Sequence, residues 1–146
     1  PGQVTTRIEG TANGEAPLLL GRFDFTHALR ALVNLLENAR KYSPPGAPVE
    51  LVLRRQGSFI EFVILDRGPG VPAAERERIF ESFYRGPGVP PDIGGAGLGL
   101  AIARRLAVEQ GGGVRHEPRA GGGSAFVMSL PAVDATTVPA AEPAQL

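Results

Sequence analysis

Asn34-Leu-Leu-Glu-Asn38-Ala-Arg-Lys41-Tyr42 is the stretch that decides the fold. It closes an amphipathic run that begins at Phe25, just after Asp24, whose short carboxylate suits a helix cap. Leu29, Leu32, Val33 and Leu36 recur at helical spacing and mark the apolar face. The run therefore predicts a helix over Phe25–Tyr42, stopped by Ser43-Pro-Pro-Gly46. Asn34, Asn38 and Lys41 stand at i, i+4 and i+7 and share a different face. Asparagine disfavours a helix interior because its amide competes for backbone partners, so two of them in mid-helix ask for a reason. One reason is a hard cation: a side-chain carbonyl oxygen suits Mg²⁺, which keeps waters and phosphate oxygens as its other ligands. Lys41 would then supply charge to phosphates, and Tyr42 could pack on a sugar or base. For this helix alone the plainer reading is preferred, a solvated face carrying ordinary asparagines.

Toward the N-terminus, residues 4–9 alternate as a strand, residues 10–14 turn, and residues 18–20 read as a brief strand. Past the helix, Val49, Leu51 and Leu53 alternate with polar residues, Gln56-Gly-Ser58 turns, and Phe59–Leu65 forms the second arm of a hairpin. Asp66-Arg-Gly68-Pro-Gly70 follows that buried strand. A carboxylate at a strand end can accept from an exocyclic amine, and glycines let backbone approach a flat ring. Asp and Gly are also ordinary turn residues, which is the simpler account of the patch by itself. Pro72 suits the first turn of a helix, predicted over residues 73–83. Phe80, Phe83 and Tyr84 read as packing residues, and Arg85 as a cation able to reach a phosphate.

Residues 86–95 hold three prolines and form a loop. Gly95-Ala-Gly97-Leu98-Gly99-Leu100 then opens an amphipathic helix over residues 98–110. Glycines there permit close approach, and the first free amides point at an anion. A hinge or tight helix packing explains the same glycines. The patch lacks the Lys-Ser/Thr of a P-loop and follows no strand, so Walker and Rossmann readings fail. Gly111-Gly-Gly113 ends the helix, and residues 114–117 and 124–130 are strands across the glycine turn Gly121-Gly-Gly123, whose role reads as structural. His27 and His116 read as structural or surface residues rather than phosphoacceptors.

Composition narrows the classes. The 146 residues suffice for one domain, with 42% hydrophobic and 21% charged residues. Lys+Arg 15 balance Asp+Glu 15, so no basic excess points to nucleic acid and no lysine cluster to a membrane surface. Cysteine is absent, which removes disulfides and thiol chemistry, and two histidines make a zinc site poor. No apolar run approaches the ~20 residues of a membrane helix. A cytoplasmic placement is expected, as a free protein or as the cytosolic part of a membrane-bound sensor. The chain opens on Pro1 without methionine, which points to a piece of something longer. Residues 1–131 read as one domain, and 132–146, rich in Ala, Pro and Thr, as a disordered tail.

In this order and spacing, the five patches 34–42, 66–70, 79–85 (Ile79-Phe80-Glu-Ser-Phe83-Tyr84-Arg85), 95–100 and 121–126 (Gly121-Gly-Gly123-Ser-Ala-Phe126) closely resemble the catalytic and ATP-binding domain of bacterial two-component sensor histidine kinases, over residues 4–131. They match that family's N, G1, F, G2 and G3 boxes. The run from the asparagine helix to the glycine-rich end is also similar to potassium-sensing kinases. The resemblance implies an α/β two-layer sandwich, a mixed sheet backed by helices, with ATP under a mobile lid. It implies Asn38 as the Mg²⁺ ligand, Lys41 as a phosphate contact and Tyr42 bordering the nucleotide, with Asn34, Lys41 and Arg85 as the expected catalytic set. Asp66 would bind adenine, with Gly68, Gly70 and Ile79 around the base. Arg85 would approach the γ-phosphate, residues 86–95 would be the lid, and Gly95, Gly97, Leu98, Gly99 and Leu100 would cradle phosphates. Ala96 stands where the family often has Thr or Ser, and Arg67 where Asn is common; Arg67 is expected to point outward.

The implied partners are a histidine-bearing helical dimerisation domain, absent from this sequence, and a response regulator. Neither nucleic acid nor direct membrane contact is implied. Three competing readings differ in single features. Gyrase, chaperone and mismatch-repair ATPases resemble this chain but place a glutamate base four residues before the metal asparagine. Here that position is Asn34, and an amide cannot take a proton from water. Glu37 lies on another face. An anti-sigma serine kinase fits poorly with the phenylalanine box ending in Arg85. A degenerate partner-binding domain would need broken pocket residues, and they are intact.

Overall fold

The computed structural model describes residues 3–86 and 97–134. Residues 87–96, most of the expected lid and the site of Gly95, and residues 135–146 of the expected tail lie outside the described residues. Five strands form one mixed sheet: β1 (Val4–Ile8), β2 (Val49–Gln56), β3 (Phe59–Leu65), β4 (Gly113–Pro118) and β5 (Ser124–Pro131). Their spatial order is β1-β2-β3-β5-β4. β1 runs parallel to β2, as the crossover through helix α1 (Phe25–Tyr42) requires. The remaining pairs are antiparallel. Helix α2 (Gly99–Glu109) links β3 to β4 on the same side of the sheet as α1. The result is the expected two-layer α/β sandwich.

α1 begins and ends where the sequence predicts. Asp24 Oδ1 accepts from the His27 amide at 2.9 Å, and the Ser43 amide closes the last turn on the Ala39 carbonyl at 3.1 Å. Its buried stripe differs from the expected one. Ala28, Ala31, Leu35 and Ala39 are buried, Leu32 and Leu36 are half-buried, and Leu29 and Val33 are exposed at 47% and 40%. Three alanines let α1 close on α2 and the sheet, which turns the bulkier Leu29 and Val33 outward.

α2 ends as predicted, with Gly111 at φ +87° and the Gly112 amide bonded to the Ala107 carbonyl at 2.9 Å. Two expectations fail. Residues 18–20 form no strand, although the Leu20 carbonyl accepts from the Val133 amide at 2.9 Å. Residues 73–83 form two 3-10 turns, Ala73–Glu75 and Arg78–Phe80, rather than one helix. Between residues 74 and 82 only Ile79 and Phe80 are apolar, too few for a helical stripe. Tertiary contacts hold the segment instead. Phe80 packs edge-on against Phe126, and Arg104 lies over the Phe80 ring and pairs with Glu77. Phe83, expected to pack, is 70% exposed and adopts φ +65°.

The opposite face of the sheet carries Val52, Val63, Ala125 and Val127 beneath long charged side chains. Glu61, 3% exposed, takes Arg54 on one oxygen and Arg115 on the other, both at 2.8 Å. Burial opposes its charge, but the Arg115 and Arg54 guanidiniums outweigh it and hold the carboxyl below its ordinary value. Ala132 and Val133, placed in the tail from sequence, bond to the carbonyls of Ser58 and Leu20.

Candidate functional site

β3 delivers Asp66 to the inner end of a cleft of about 290 Å³. The cleft lies between the end of α1, the loop after β3, the 3-10 turns and the starts of α2 and β5. Asp66 is 2% exposed. Its Oδ1 accepts from the Gly68 amide at 2.9 Å and the Ser124 amide at 3.1 Å. Its own amide donates to the Ser124 carbonyl at 3.0 Å, and Arg119 Nη1 donates to its carbonyl at 3.1 Å. Burial raises the carboxyl above its ordinary value, while the two amides and the Arg119 charge pull the other way. Both amides use Oδ1, which leaves Oδ2 to accept from a donor entering the cleft. A fixed acceptor in a mostly apolar cleft selects a group such as an exocyclic amine.

Two glycines make this geometry possible. A Cβ on Gly68 would sit 2.8 Å from the Tyr42 carbonyl, so only glycine lets the loop after β3 approach the end of α1. A Cβ on Gly123 would sit 2.1 Å from the Asp66 carbonyl, and Gly123 has φ +105°. The turn between β4 and β5 therefore helps clamp Asp66, a role beyond the purely structural one expected of it. Arg67 points outward as expected, yet its Nη1 donates to the Ala120 and Gly122 carbonyls and pins the same turn.

Of the residues singled out from sequence, Asn38, Tyr42, Asp66, Gly70, Ile79, Arg85 and Leu100 line the cleft. Arg85 is exposed at its rim. Asn34, one turn before Asn38, is half-buried and does not line it. Lys41 is exposed and borders a separate groove with Glu37, Arg40 and residues 43–47. Gly68, Gly97, Leu98 and Gly99 support the cleft without lining it. Leu98 caps α2 without a side-chain bond, and the first turn holds no acid, so the helix's free amides and positive end stay available to an anion.

Sequence reasoning left out Pro69, Val71, Pro72, Glu75 and Ser124, which also line the cleft. Val71 and Pro72 could have been found from their position beside Gly70. Ser124 could not, because its partner Asp66 lies just past the end of β3, remote in sequence. His116, read as structural or surface, is buried at 7% exposure behind Ser124. Its Nε2 lies 2.8 Å from Ser124 Oγ. Burial first, and the Arg76 charge second, push its pKa down to about 4 against the opposing pull of Glu117, so the ring is neutral near pH 7.

Residues 23–134 match the family described as Histidine kinase-, DNA gyrase B-, and HSP90-like ATPase. The chain belongs to this family. Within it, Sensor-like histidine kinase SenX3 of Mycobacterium tuberculosis (strain ATCC 25618 / H37Rv) is 42% identical over 111 residues, 75% of this chain and 27% of that protein. A solved structure of the mycobacterial sensor histidine kinase MprB matches with a TM-score of 0.73 at 32% identity, covering 89% of this chain and 81% of that one. The crystal structure of full-length ShkA in complex with AMPPNP matches with a TM-score of 0.72 at 31% identity, covering 91% of this chain and 26% of that one. The chain thus has the fold of the histidine kinase ATP-binding domain and spans about a quarter of the length of SenX3. The potassium-sensing likeness stays a reading of the sequence alone.

Proposed function

We propose that this domain is the ATP-binding half of a sensor histidine kinase that works with Mg²⁺. It holds ATP in the cleft and presents the γ-phosphoryl to a histidine on a separate helical dimerisation domain. The histidine nitrogen bonds to phosphorus as the bond to the β,γ-bridging oxygen breaks, and ADP leaves. A response-regulator aspartate then takes the phosphoryl. The observation that carries this reading is Asp66, buried at the cleft's inner end with Oδ1 fixed by two amides. Adenine's amine would donate to it, and Tyr42, Ile79 and Leu100 supply apolar walls.

The donor set fits Mg²⁺. Asn38 brings a neutral hard oxygen to the cleft, and among the described residues no group of three or more His, Cys, Asp or Glu could build a metal cage. When bound, the ion would neutralise charge on the transferring phosphates. The chain's own contribution is positioning: Asn38 at the α1 end, Arg85 at the rim, and the open end of α2. Asn34 is placed one turn from Asn38 and, being an amide, activates no water. Lys41 would have to swing from its groove to meet a phosphate.

Steady hydrolysis of the gyrase and chaperone kind needs a base. Glu37, the nearest carboxylate to Asn38 in sequence, borders the groove with Lys41 rather than the cleft. The position one turn before Asn38, where such ATPases carry the base, is the amide Asn34, and that favours the kinase over the ATPase reading. No described helix is long and apolar enough to cross a membrane, and we place the domain in the cytosolic part of its parent. The test is transfer of γ-labelled phosphate from ATP to a histidine-bearing helical dimerisation domain supplied in trans. Label on that domain, lost in Asp66→Asn and Asn38→Ala, supports the proposal. ATP binding with label released only as free phosphate contradicts it.

A further inference from the structure

His116 belongs to no part of the mechanism above, yet it sits directly behind the cleft. The β4–β5 register pairs His116 with Phe126 and Pro118 with Ser124, so His116 and Ser124 are diagonal neighbours on one face. The ring meets Phe126 edge-on, with centroids 5.1 Å apart and planes at 71°. Its Nε2 lies 2.8 Å from Ser124 Oγ, and its Nδ1 is enclosed with no hydrogen-bond partner. Ser124 and Phe126 both line the cleft. The Ser124 backbone also holds Asp66 in both directions.

The tautomer decides what Ser124 can do. An enclosed N–H without an acceptor is rarer than an enclosed lone pair without a donor. The proton therefore belongs on Nε2, where it donates to Ser124 Oγ. With Oγ accepting from the ring, the hydroxyl proton is free to turn into the cleft. The cleft then offers a donor, the Ser124 hydroxyl, beside an acceptor, the Asp66 carboxylate. Adenine presents the complement, an amine donor beside a ring-nitrogen acceptor. Guanine presents the reverse, an oxo acceptor beside an N–H donor.

We propose that His116 is a positioning residue for base selectivity, orienting the Ser124 hydroxyl as a donor toward the purine edge. This rests on the adenine reading of Asp66. The test is titration of Mg-ATP and Mg-GTP into the parent chain and into His116→Leu, His116→Gln, Ser124→Ala, the His116→Leu/Ser124→Ala double variant, and Asp66→Asn. Thermal unfolding of each confirms a folded sample. His116→Leu is expected to weaken ATP by about tenfold, the worth of one buried hydrogen bond, and to leave GTP within about twofold. His116→Gln, whose amide can still donate to Oγ, should recover most of the loss. In the Ser124→Ala background, His116→Leu should add nothing, because the two act through one hydroxyl. Equal losses for both nucleotides, or additive losses in the double variant, would show that His116 only packs and overturn the proposal. Asp66→Asn separates the two levels. If it weakens ATP while His116→Leu does not, only the His116 assignment falls. If Asp66→Asn leaves ATP unchanged, the adenine reading falls and takes this inference with it.

Discussion

Replacing Gly123 by alanine should damage both stability and nucleotide binding. The new Cβ would lie 2.1 Å from the Asp66 carbonyl oxygen, where ordinary contact begins at 3.4 Å. Relief requires a displacement of about 1.3 Å between two backbone segments, and neither atom belongs to a flexible side-chain end. Gly123 also holds φ +105°, and an L-residue at positive φ costs roughly 1–2 kcal/mol. The displacement stretches the two bonds between Asp66 and the Ser124 backbone, each contributing about 1 kcal/mol. The total is about 3–4 kcal/mol, a large share of the ~5–15 kcal/mol that holds a domain folded. Gly122 is the control: its φ is +103°, and a Cβ there meets nothing within 4 Å. Gly122→Ala should lose only the conformational share, about 1–2 kcal/mol, and keep its ATP affinity. Urea unfolding measures the first quantity and ATP titration the second. Gly123→Ala should bind ATP at least about tenfold more weakly while still folded, since Asp66 is displaced. Equal costs for the two substitutions, with ATP binding intact in both, would refute the argument that this turn clamps Asp66.

Asp66→Asn should stabilise the nucleotide-free domain at neutral pH while weakening ATP. The folded carboxyl is raised above its ordinary value, so its stabilising contribution is greatest below that value and is lost as pH rises through the raised one. A neutral amide removes the cost, and thermal melts at pH 7 with and without ATP would show both effects. His116 gives the opposite limb: its pKa is lowered from 6.5 to about 4, so stability present above pH 6.5 is lost as pH falls toward 4. His116→Leu should flatten that acid limb in a melting-temperature profile. Glu61→Gln should cost about 1–3 kcal/mol by urea unfolding, less than a fully buried pair because Arg54 and Arg115 are partly exposed. It should spare ATP binding, because Glu61 lies on the sheet face away from the cleft. Asn38→Asp should shift the magnesium dependence of ATP binding, read by titration at several Mg²⁺ concentrations.

The sequence was most legible where one residue type has few uses. Asp24 and Ser43 bound α1, and Gly111 ends α2, because caps and left-handed turns admit few side chains. Asp66 was legible only in company with the other patches, because Asp and Gly by themselves are ordinary turn residues. The rotation of α1 was not legible: Ala28, Ala31 and Ala39 carry little hydrophobic signal, yet their small size sets how closely the helix packs. The segment after Pro72 misled because helix-forming residues there are overruled by Phe80 and Arg104 packing. Lys41 shares a helix face with Asn38 by spacing alone, but one further turn carries it to a different groove. His116 and Ser124 meet only through the register of the β4–β5 hairpin, which no periodicity in the chain announces.

The most direct test of the central claim is a calorimetric titration of Mg-ATP into this chain, with the final mixture held to watch for continuing heat. The account predicts saturable binding heat, with weaker affinity in Asp66→Asn, followed by a flat baseline, since Asn34 supplies no base for water. Binding heat followed by steady heat would mean turnover and would contradict it.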